Sequence, residues 1–336
     1  MLPLCLLPQW LIAAGFGRCC SCAHSPITMR ALPQTPPIQR FLVLTTQHSG
    51  SSWLTQELNA QPGVACQKEL LADLDEHRLQ RNASSSLKAP TWEEWVARAE
   101  AAFERVYKDA LQRMPRNLTV AVGFKLMYSQ VWDSRPLFMN APPKTWGQNT
   151  RFLAWLRARN VRVLHLVRGA AILRSNDLAD EAAASHVHVG RALNSVQNLT
   201  ELAKLQAAFK PRKYGPSELV SKVLEMEEPV LYWRDLLALT GADHHVLLYE
   251  SLLGASRALA FQSAVTYIGG PPGARLLDTR EEVATGSKMN LRIHPITCEE
   301  RIQDWNKLKF LLKGDSLTLL SCELLASLAR DKSLWT

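Results

Sequence analysis

The sequence predicts an α/β fold in three layers, with a central, mainly parallel sheet of about five strands. Three observations lead to this prediction. Apolar runs of strand length alternate with longer segments whose apolar residues recur at helical spacing. Strands that alternate with helices favour right-handed parallel crossovers, which put helices on both faces of a sheet. A chain of 336 residues with 47% hydrophobic and 21% charged residues is large enough to bury the core of one sizeable domain.

Five strands are predicted, each a short and mainly apolar run, at 41–45, 63–66, 119–124, 161–167 and 245–249. The clearest helix pattern covers 91–114, where Trp95, Ala99 and Phe103 recur at helical spacing. One helix is expected directly after the first strand. Further helices are predicted at 67–77, 152–159, 170–180, 203–209, 217–240, 256–268 and 316–329.

The first 40 residues predict the domain organisation. Residues 1–17 are apolar but interrupted by Pro3 and Pro8, and they are shorter than the roughly 20 residues that cross a bilayer. Residues 1–24 are therefore predicted to be a signal peptide or an anchor through which the protein associates with a membrane. Residues 25–39 carry four prolines and no apolar periodicity, as expected of an extended linker. One domain is expected over 40–335.

Sequons and cysteines bear on the cellular compartment. Asn-x-Ser/Thr sequons lie at Asn82, Asn117 and Asn198, and they favour a glycoprotein of the secretory route. The predicted location is the Golgi lumen or membrane, and the alternative is the cytoplasm. Four of the seven cysteines fall within the first 22 residues, so the domain has no disulfide framework. The sequence allows either a single bridge between Cys298 and Cys322 or free buried thiols.

The charge of the chain favours anionic ligands. A net charge of +8 and a pI of about 9.2 suit a phosphorylated ligand, a nucleic acid or an acidic membrane surface. Nucleic acid is not predicted, because the sequence has no long basic run and no array of stacking aromatic residues.

The stretch 41–58 joins the first strand to a helix through a polar turn. Gly50, flanked by serines, lets the backbone approach a ligand closely, and the amides that open the helix point at that ligand with the positive end of the helix dipole. The turn therefore predicts an anion site and a P-loop-like fold. The G-x-x-x-x-G-K-[ST] motif of ATP- and GTP-binding proteins is incomplete here, because its first Gly and its Lys are missing.

Residues 47–53 (Gln-His-Ser-Gly-Ser-Ser-Trp) resemble the 5′-phosphosulfate loop of the sulfotransferases that use 3′-phosphoadenylyl sulfate. The strand at 161–167 ends in Arg168, with Ser175 seven residues on, similar to the family's 3′-phosphate site; Arg174 is a competing guanidinium. The resemblance covers about residues 40–315. It is strongest to the plant and algal members that are related to bacterial nodulation-factor and trehalose sulfotransferases. The segments that carry this closer resemblance are 121–125, 293–295 and 302–305.

The resemblance implies a metal-independent sulfotransferase that moves a sulfuryl group from 3′-phosphoadenylyl sulfate to a hydroxyl acceptor, predicted to be a carbohydrate or glycolipid. The donor-binding residues that it implies are Gln47, His48, Ser49, Gly50, Ser51, Ser52, Trp53, Arg168, Ser175 and Lys288. At position 48 the family carries a permanently charged Lys or Arg, so a His there predicts donor affinity that strengthens as pH falls towards 6.

Transfer needs a base for the acceptor proton and positive charge for the leaving phosphate. The family position predicts Glu69 as the base, with Glu57 as runner-up, and His48 and Lys125 as the positive groups. Each also has a structural interpretation: Glu69 as a partner of a helix dipole, Glu57 as an exposed helix acid, and Lys125 as a solvated lysine just past a strand.

Two other classes of function are open. A nucleotide-dependent kinase would depend on Mg²⁺, and a catalytically inactive nucleotide- or glycan-binding relative would bind donor without transfer. The identity of the acceptor is not predicted, although 140–149 is expected to form an acceptor-side loop.

Overall fold

The structure is a computed structural model that describes residues 38–46, 49–71, 91–114, 121–131, 149–177, 211–253, 256–276, 297–312, 314 and 316–330. The strands are β1 (Gln39–Thr45), β2 (Val64–Gln67), β3 (Ala121–Met127), β4 (Val161–Val167) and β5 (His244–Leu248). The helices are α1 (Ser51–Asn59), α2 (Trp92–Arg113), α3 (Thr150–Ala158), α4 (171–177), α5 (Pro216–Leu239), α6 (Arg257–Tyr267), α7 (Cys298–Arg301), α8 (Trp305–Leu308) and α9 (Leu317–Arg330).

The five strands form one parallel sheet in the order β2-β3-β1-β4-β5. After β1 the chain leads to β2 and β3 on one side, and after β4 it leads to β5 on the other. The crevice at the carboxyl ends of β1 and β4 is therefore the switch point at which open sheets of this kind bind ligands.

The two faces of the sheet are covered by different helices, because side chains alternate along each strand. On β1, Leu42 and Leu44 pack into a core with α2, α3 and α5, which includes Trp95, Phe152 and Trp233. The neighbouring residues Phe41 and Val43 face a second core with α1 and α6, built around Leu54, Leu58 and Phe261. These layers, with the strand, loop and helix of β1 and α1, confirm the predicted α/β, P-loop-like fold.

A third cluster lies beyond the carboxyl edge of the sheet, where α4 packs against the first half of α5 and against α7, α8 and α9. A disulfide joins Cys298 on α7 to Cys322 on α9, whose Cα atoms are 5.6 Å apart. Of the two alternatives that the sequence left open, the bridge is therefore the one formed. Within the described residues, no helix is both long and apolar enough to cross a bilayer.

Two predictions about elements need correction. The helix expected from residue 67 does not begin there, because Gln67 closes β2 by pairing with Phe124 of β3, and 68–71 form bends. Lys125 does not follow β3 but lies inside it, paired in register with Val43 of β1. Most of the predicted 67–77 helix and all of the 203–209 helix lie outside the described residues.

A buried polar pair sits in the core near the carboxyl ends of β3 and β4. The His165 side chain is fully buried, and its Nε2 is hydrogen-bonded to the hydroxyl of Tyr128. Burial lowers the pKa of His165 from its ordinary 6.5 to about 3, and the nearby charges of His244 and Arg234 act in the same direction. The imidazole is therefore neutral in the folded protein at every physiological pH.

We expect this histidine to make the fold sensitive to mild acid. Between pH 6.5 and 3 the unfolded chain binds a proton at His165 that the folded chain does not, so stability is lost as pH falls through that window. At pH 5 the loss is about 2 kcal/mol. Urea unfolding of the parent and of His165→Gln at pH 7.5 and pH 5 measures it. If both proteins lose equal stability, His165 is not the source.

Candidate functional site

The turn between β1 and α1 is held by hydroxyl groups and shaped by a glycine. The side-chain oxygens of Thr45 and Ser49 lie 2.5 Å apart, and the Thr45 hydroxyl also donates to the carbonyl of Leu166 on β4 at 3.0 Å. Gly50 has a φ of 83°, and a Cβ on it would lie 2.3 Å from the Tyr249 ring. The turn therefore requires glycine both for its backbone conformation and for its packing.

The amino end of α1 is open for an anion. Gly50 precedes the helix, and it has no side chain with which to cap it. The Leu54 amide donates to the Gly50 carbonyl at 3.0 Å, and the amides that precede Leu54 in the first turn have no intrahelical acceptor. Such amides, at the positive end of the helix dipole, bind phosphate and sulfate groups.

A carboxylate and an ammonium group meet next to this helix. The Lys125 side chain, 5% exposed, contacts Oε1 of Glu69 through its Nζ. Glu69 is 31% exposed and lies in the bend after β2, not in a helix. The two residues predicted to act as base and as positive group are thus in direct contact. Glu69 is not the helix-dipole partner that its sequence position allowed, and Lys125 is not solvated.

Gln130 fixes the other oxygen of this carboxylate. Its Nε2 donates to Oε2 of Glu69 at 3.3 Å. Its Oε1 accepts from the Met127 amide at 3.0 Å, and its carbonyl accepts from the Trp95 indole at 2.8 Å. Because the Met127 amide and the Trp95 indole hold Gln130 in place, it sets the orientation of Glu69.

Glu69 opens onto a cleft of about 440 Å³ between α1, the end of β2 and the end of α2. Most of the described side chains that line it are polar; they are Thr55, Gln56, Asn59, Cys66, Gln67, Lys68, Glu69, Leu70, Asp109, Gln112 and Arg113. Burial raises the pKa of the Cys66 thiol to about 12, so this cysteine is not a nucleophile at neutral pH.

Arg168 follows β4 as predicted, but it is engaged by a carboxylate. Its Nη1 lies 2.5 Å from Oδ2 of Asp177, and Arg301 reaches the other oxygen of Asp177 at 2.6 Å. Burial disfavours the charged form of Arg168, but the attraction of the Asp177 carboxylate prevails over this effect of burial. The pKa of the Arg168 guanidinium is therefore raised. Ser175 lies in α4 and is 9% exposed.

Tyr249 connects the two halves of the site. It is the first residue after β5, its ring lies against Gly50, and the Arg168 guanidinium lies 5.5 Å from the centre of that ring. The ring therefore bridges the turn before α1 and the turn after β4. The signal that identifies it is the carboxyl end of a parallel strand, which also located Arg168.

The other predicted site residues divide into two groups. Ser51 is buried, Ser52 is exposed and Trp53 is partly buried, all at the start of α1. Glu57, the alternative base, is 2% exposed on α1, so it is not an exposed helix acid. Three predicted residues lie outside the described part of the chain, namely Gln47, His48 and Lys288.

The described residues contain no group of three or more His, Cys, Asp or Glu side chains that could hold a metal ion. The prediction of metal-independent chemistry remains to be tested by experiment. The sequence did not identify Gln130, Asp177 or Tyr249, whose roles depend on contacts with residues distant in the chain.

Comparison with known proteins gives limited similarity. No protein-family model matches the sequence, and no curated protein matches it significantly. Among solved structures, one match is the crystal structure of a sulfotransferase from Alicyclobacillus acidocaldarius, with 14% identity and a TM-score of 0.35, covering 89% of this chain and 99% of that chain. At this level of similarity, function has to be inferred from the side chains of the site.

Proposed function

We propose that the protein is a sulfotransferase that moves a sulfuryl group from 3′-phosphoadenylyl sulfate to a hydroxyl acceptor without a metal ion. The observation that carries the proposal is the contact of Glu69 with Lys125 on a cleft that runs along the second half of α1, the helix that begins at the Gly50 turn. A base and a positive charge next to an anion site are what sulfuryl transfer to a hydroxyl needs.

In this mechanism Glu69 removes the proton of the acceptor hydroxyl as the acceptor oxygen forms its bond to sulfur. The bond between sulfur and the bridging oxygen breaks, and adenosine 3′,5′-bisphosphate leaves with the electron pair. Proton uptake neutralises Glu69, which weakens its attraction for Lys125. The ammonium charge thereby becomes available to the leaving phosphate, together with the amides of α1.

The cleft beside Glu69 suits a saccharide as the acceptor. Side-chain amides, Asp109 and Arg113 offer planar groups that hydrogen-bond to neighbouring hydroxyls. We therefore propose a carbohydrate, free or in a glycolipid, as the acceptor.

We also propose a location in the lumen of the Golgi. The disulfide between Cys298 and Cys322 supports an oxidising compartment, because such bridges are rare in the cytosol. The apolar leader and the three sequons of the sequence agree with this location.

Nucleotide binding tests the proposed donor. We expect adenosine 3′,5′-bisphosphate to raise the melting temperature more than ADP at equal concentration, because a ligand of the folded state stabilises it by mass action and ADP lacks the 3′-phosphate. Scanning calorimetry in EDTA measures both shifts. Equal shifts, or a shift that needs Mg²⁺, would contradict the proposal and favour a nucleotide-dependent kinase.

A further inference from the structure

Arg174 is a buried cation that the mechanism above does not use. It lies on α4, and only 3% of the residue is exposed. Its Nη1 donates to the Thr46 hydroxyl at 2.6 Å, and its Nη2 donates to the carbonyl of Met226 on α5 at 2.5 Å. It therefore joins the residue that follows β1 to the helix that covers the sheet.

The guanidinium has no counter-ion in the described part of the chain. The nearby carboxylate of Asp177 is shared by Arg168 and Arg301, and the partners of Arg174 are neutral. Its Nε is buried without a hydrogen-bond partner. Burial lowers the pKa of Arg174 to about 10; the electrostatic interaction with Tyr128 opposes this effect, and the charge of Arg168 adds to it. A buried charge without a partner is costly unless an anion joins it.

A second unsatisfied donor lies on the same helix. Asn176 is fully buried, and its Oδ1 accepts from the hydroxyl of Tyr214. Its Nδ2 has no hydrogen-bond partner among the described residues. Because residues two apart project from different sides of a helix, Asn176 faces Tyr214 and only Arg174 is turned towards Thr46.

The position of Arg174 indicates which end of the donor it meets. Thr46 stands between β1 and the turn that leads to α1, so the guanidinium approaches the side of the crevice on which the first-turn amides lie. Arg168 is neutralised by Asp177 and lies at the end of β4. The two arginines therefore serve different parts of the crevice.

We propose that Arg174 binds the 5′-phosphate of the donor, a role that rests on the proposed function, and that Thr46 orients the guanidinium for it. Arg168, which Asp177 holds in position, then binds the 3′-phosphate. The bound 5′-phosphate oxygens accept hydrogen bonds from Nε and from the second N–H of Nη1, since both N–H groups of Nη2 contact Met226.

Binding of three nucleotides measures the role of each arginine. The 5′ gain is the dissociation constant of adenosine 3′-phosphate divided by that of adenosine 3′,5′-bisphosphate. The 3′ gain is the dissociation constant of adenosine 5′-phosphate divided by that of adenosine 3′,5′-bisphosphate. In Arg174→Gln we expect the 5′ gain to fall about 10- to 100-fold and the 3′ gain to stay within about threefold of the parent value. Arg168→Gln, the matched control, should show the reverse.

Thr46→Val keeps the shape of the threonine but removes the acceptor that orients Arg174. It should lower the 5′ gain by about threefold to tenfold, and it replaces Arg174→Gln as the test if that variant does not fold. An unchanged 5′ gain, or equal losses in both gains, would overturn the role of Arg174. A parent protein that binds none of the three nucleotides would overturn the proposed function as well.

Discussion

Replacing Glu69 by Gln is expected to lower sulfuryl transfer by a factor of about 10² to 10⁴. Glutamine keeps the shape of the side chain, and it can still accept from Gln130, but it cannot take up the proton of the acceptor hydroxyl. Because Glu69 lies in the cleft beside α1 and not in the turn before it, donor affinity should stay within about threefold of the parent value. Transfer rates and the dissociation constant of adenosine 3′,5′-bisphosphate measure the two effects separately.

Glu57→Gln is the control for this variant, because Glu57 is the other carboxylate that the sequence offers near the turn. It is buried on α1, so a loss of stability is expected, but transfer per folded molecule should be close to that of the parent. Near-normal transfer by Glu69→Gln together with collapse in Glu57→Gln would assign the base to α1 instead.

Gly50→Ala is expected to weaken donor binding by at least about tenfold. The φ of 83° costs an alanine about 1 kcal/mol, and the added Cβ would lie 2.3 Å from the Tyr249 ring. Either the turn or the ring must move, and both border the anion site. Titration with adenosine 3′,5′-bisphosphate and urea unfolding of the same variant give the loss of affinity and the loss of stability.

Gly241→Ala provides a matched control for backbone strain. Gly241 has a φ of 63°, and a Cβ added to it would meet no other atom within 4 Å. It precedes the amino end of β5, opposite the site. This variant should lose a similar amount of stability from strain and none of its donor affinity. If Gly50→Ala binds donor as tightly as Gly241→Ala, close approach of the turn to Tyr249 is not required.

Much of the fold could be predicted because local pattern and tertiary environment agree. The bounds of β4 match the predicted 161–167, since a mainly apolar run of this length is typical of a strand buried on both faces. The pattern failed at Lys125, where a charged side chain interrupts the apolar run but the strand continues to Met127. Its charge is satisfied by Glu69, which lies just after β2 and whose proximity the chain order does not reveal.

The candidate site was predictable where one element carries the signal. Gly50 lies in the turn after β1 and Arg168 directly follows β4, at the edge where parallel sheets bind ligands. The ion pair of Arg168 with Asp177 was not predictable, since Asp177 is itself shared with Arg301 from a helix distant in the chain. For the same reason the sequence ranked Arg174 second to Arg168, although burial and the lack of a counter-ion among the described residues distinguish it in the structure.

Transfer from sulfur-labelled 3′-phosphoadenylyl sulfate to a panel of saccharides and glycolipids, with EDTA present, tests the central claim most directly. We expect the parent to label at least one hydroxyl acceptor and Glu69→Gln to stay near background. Tight binding of adenosine 3′,5′-bisphosphate without label on any acceptor would contradict the claim and indicate a binding protein, and Mg²⁺-dependent phosphate transfer from ATP would indicate a kinase.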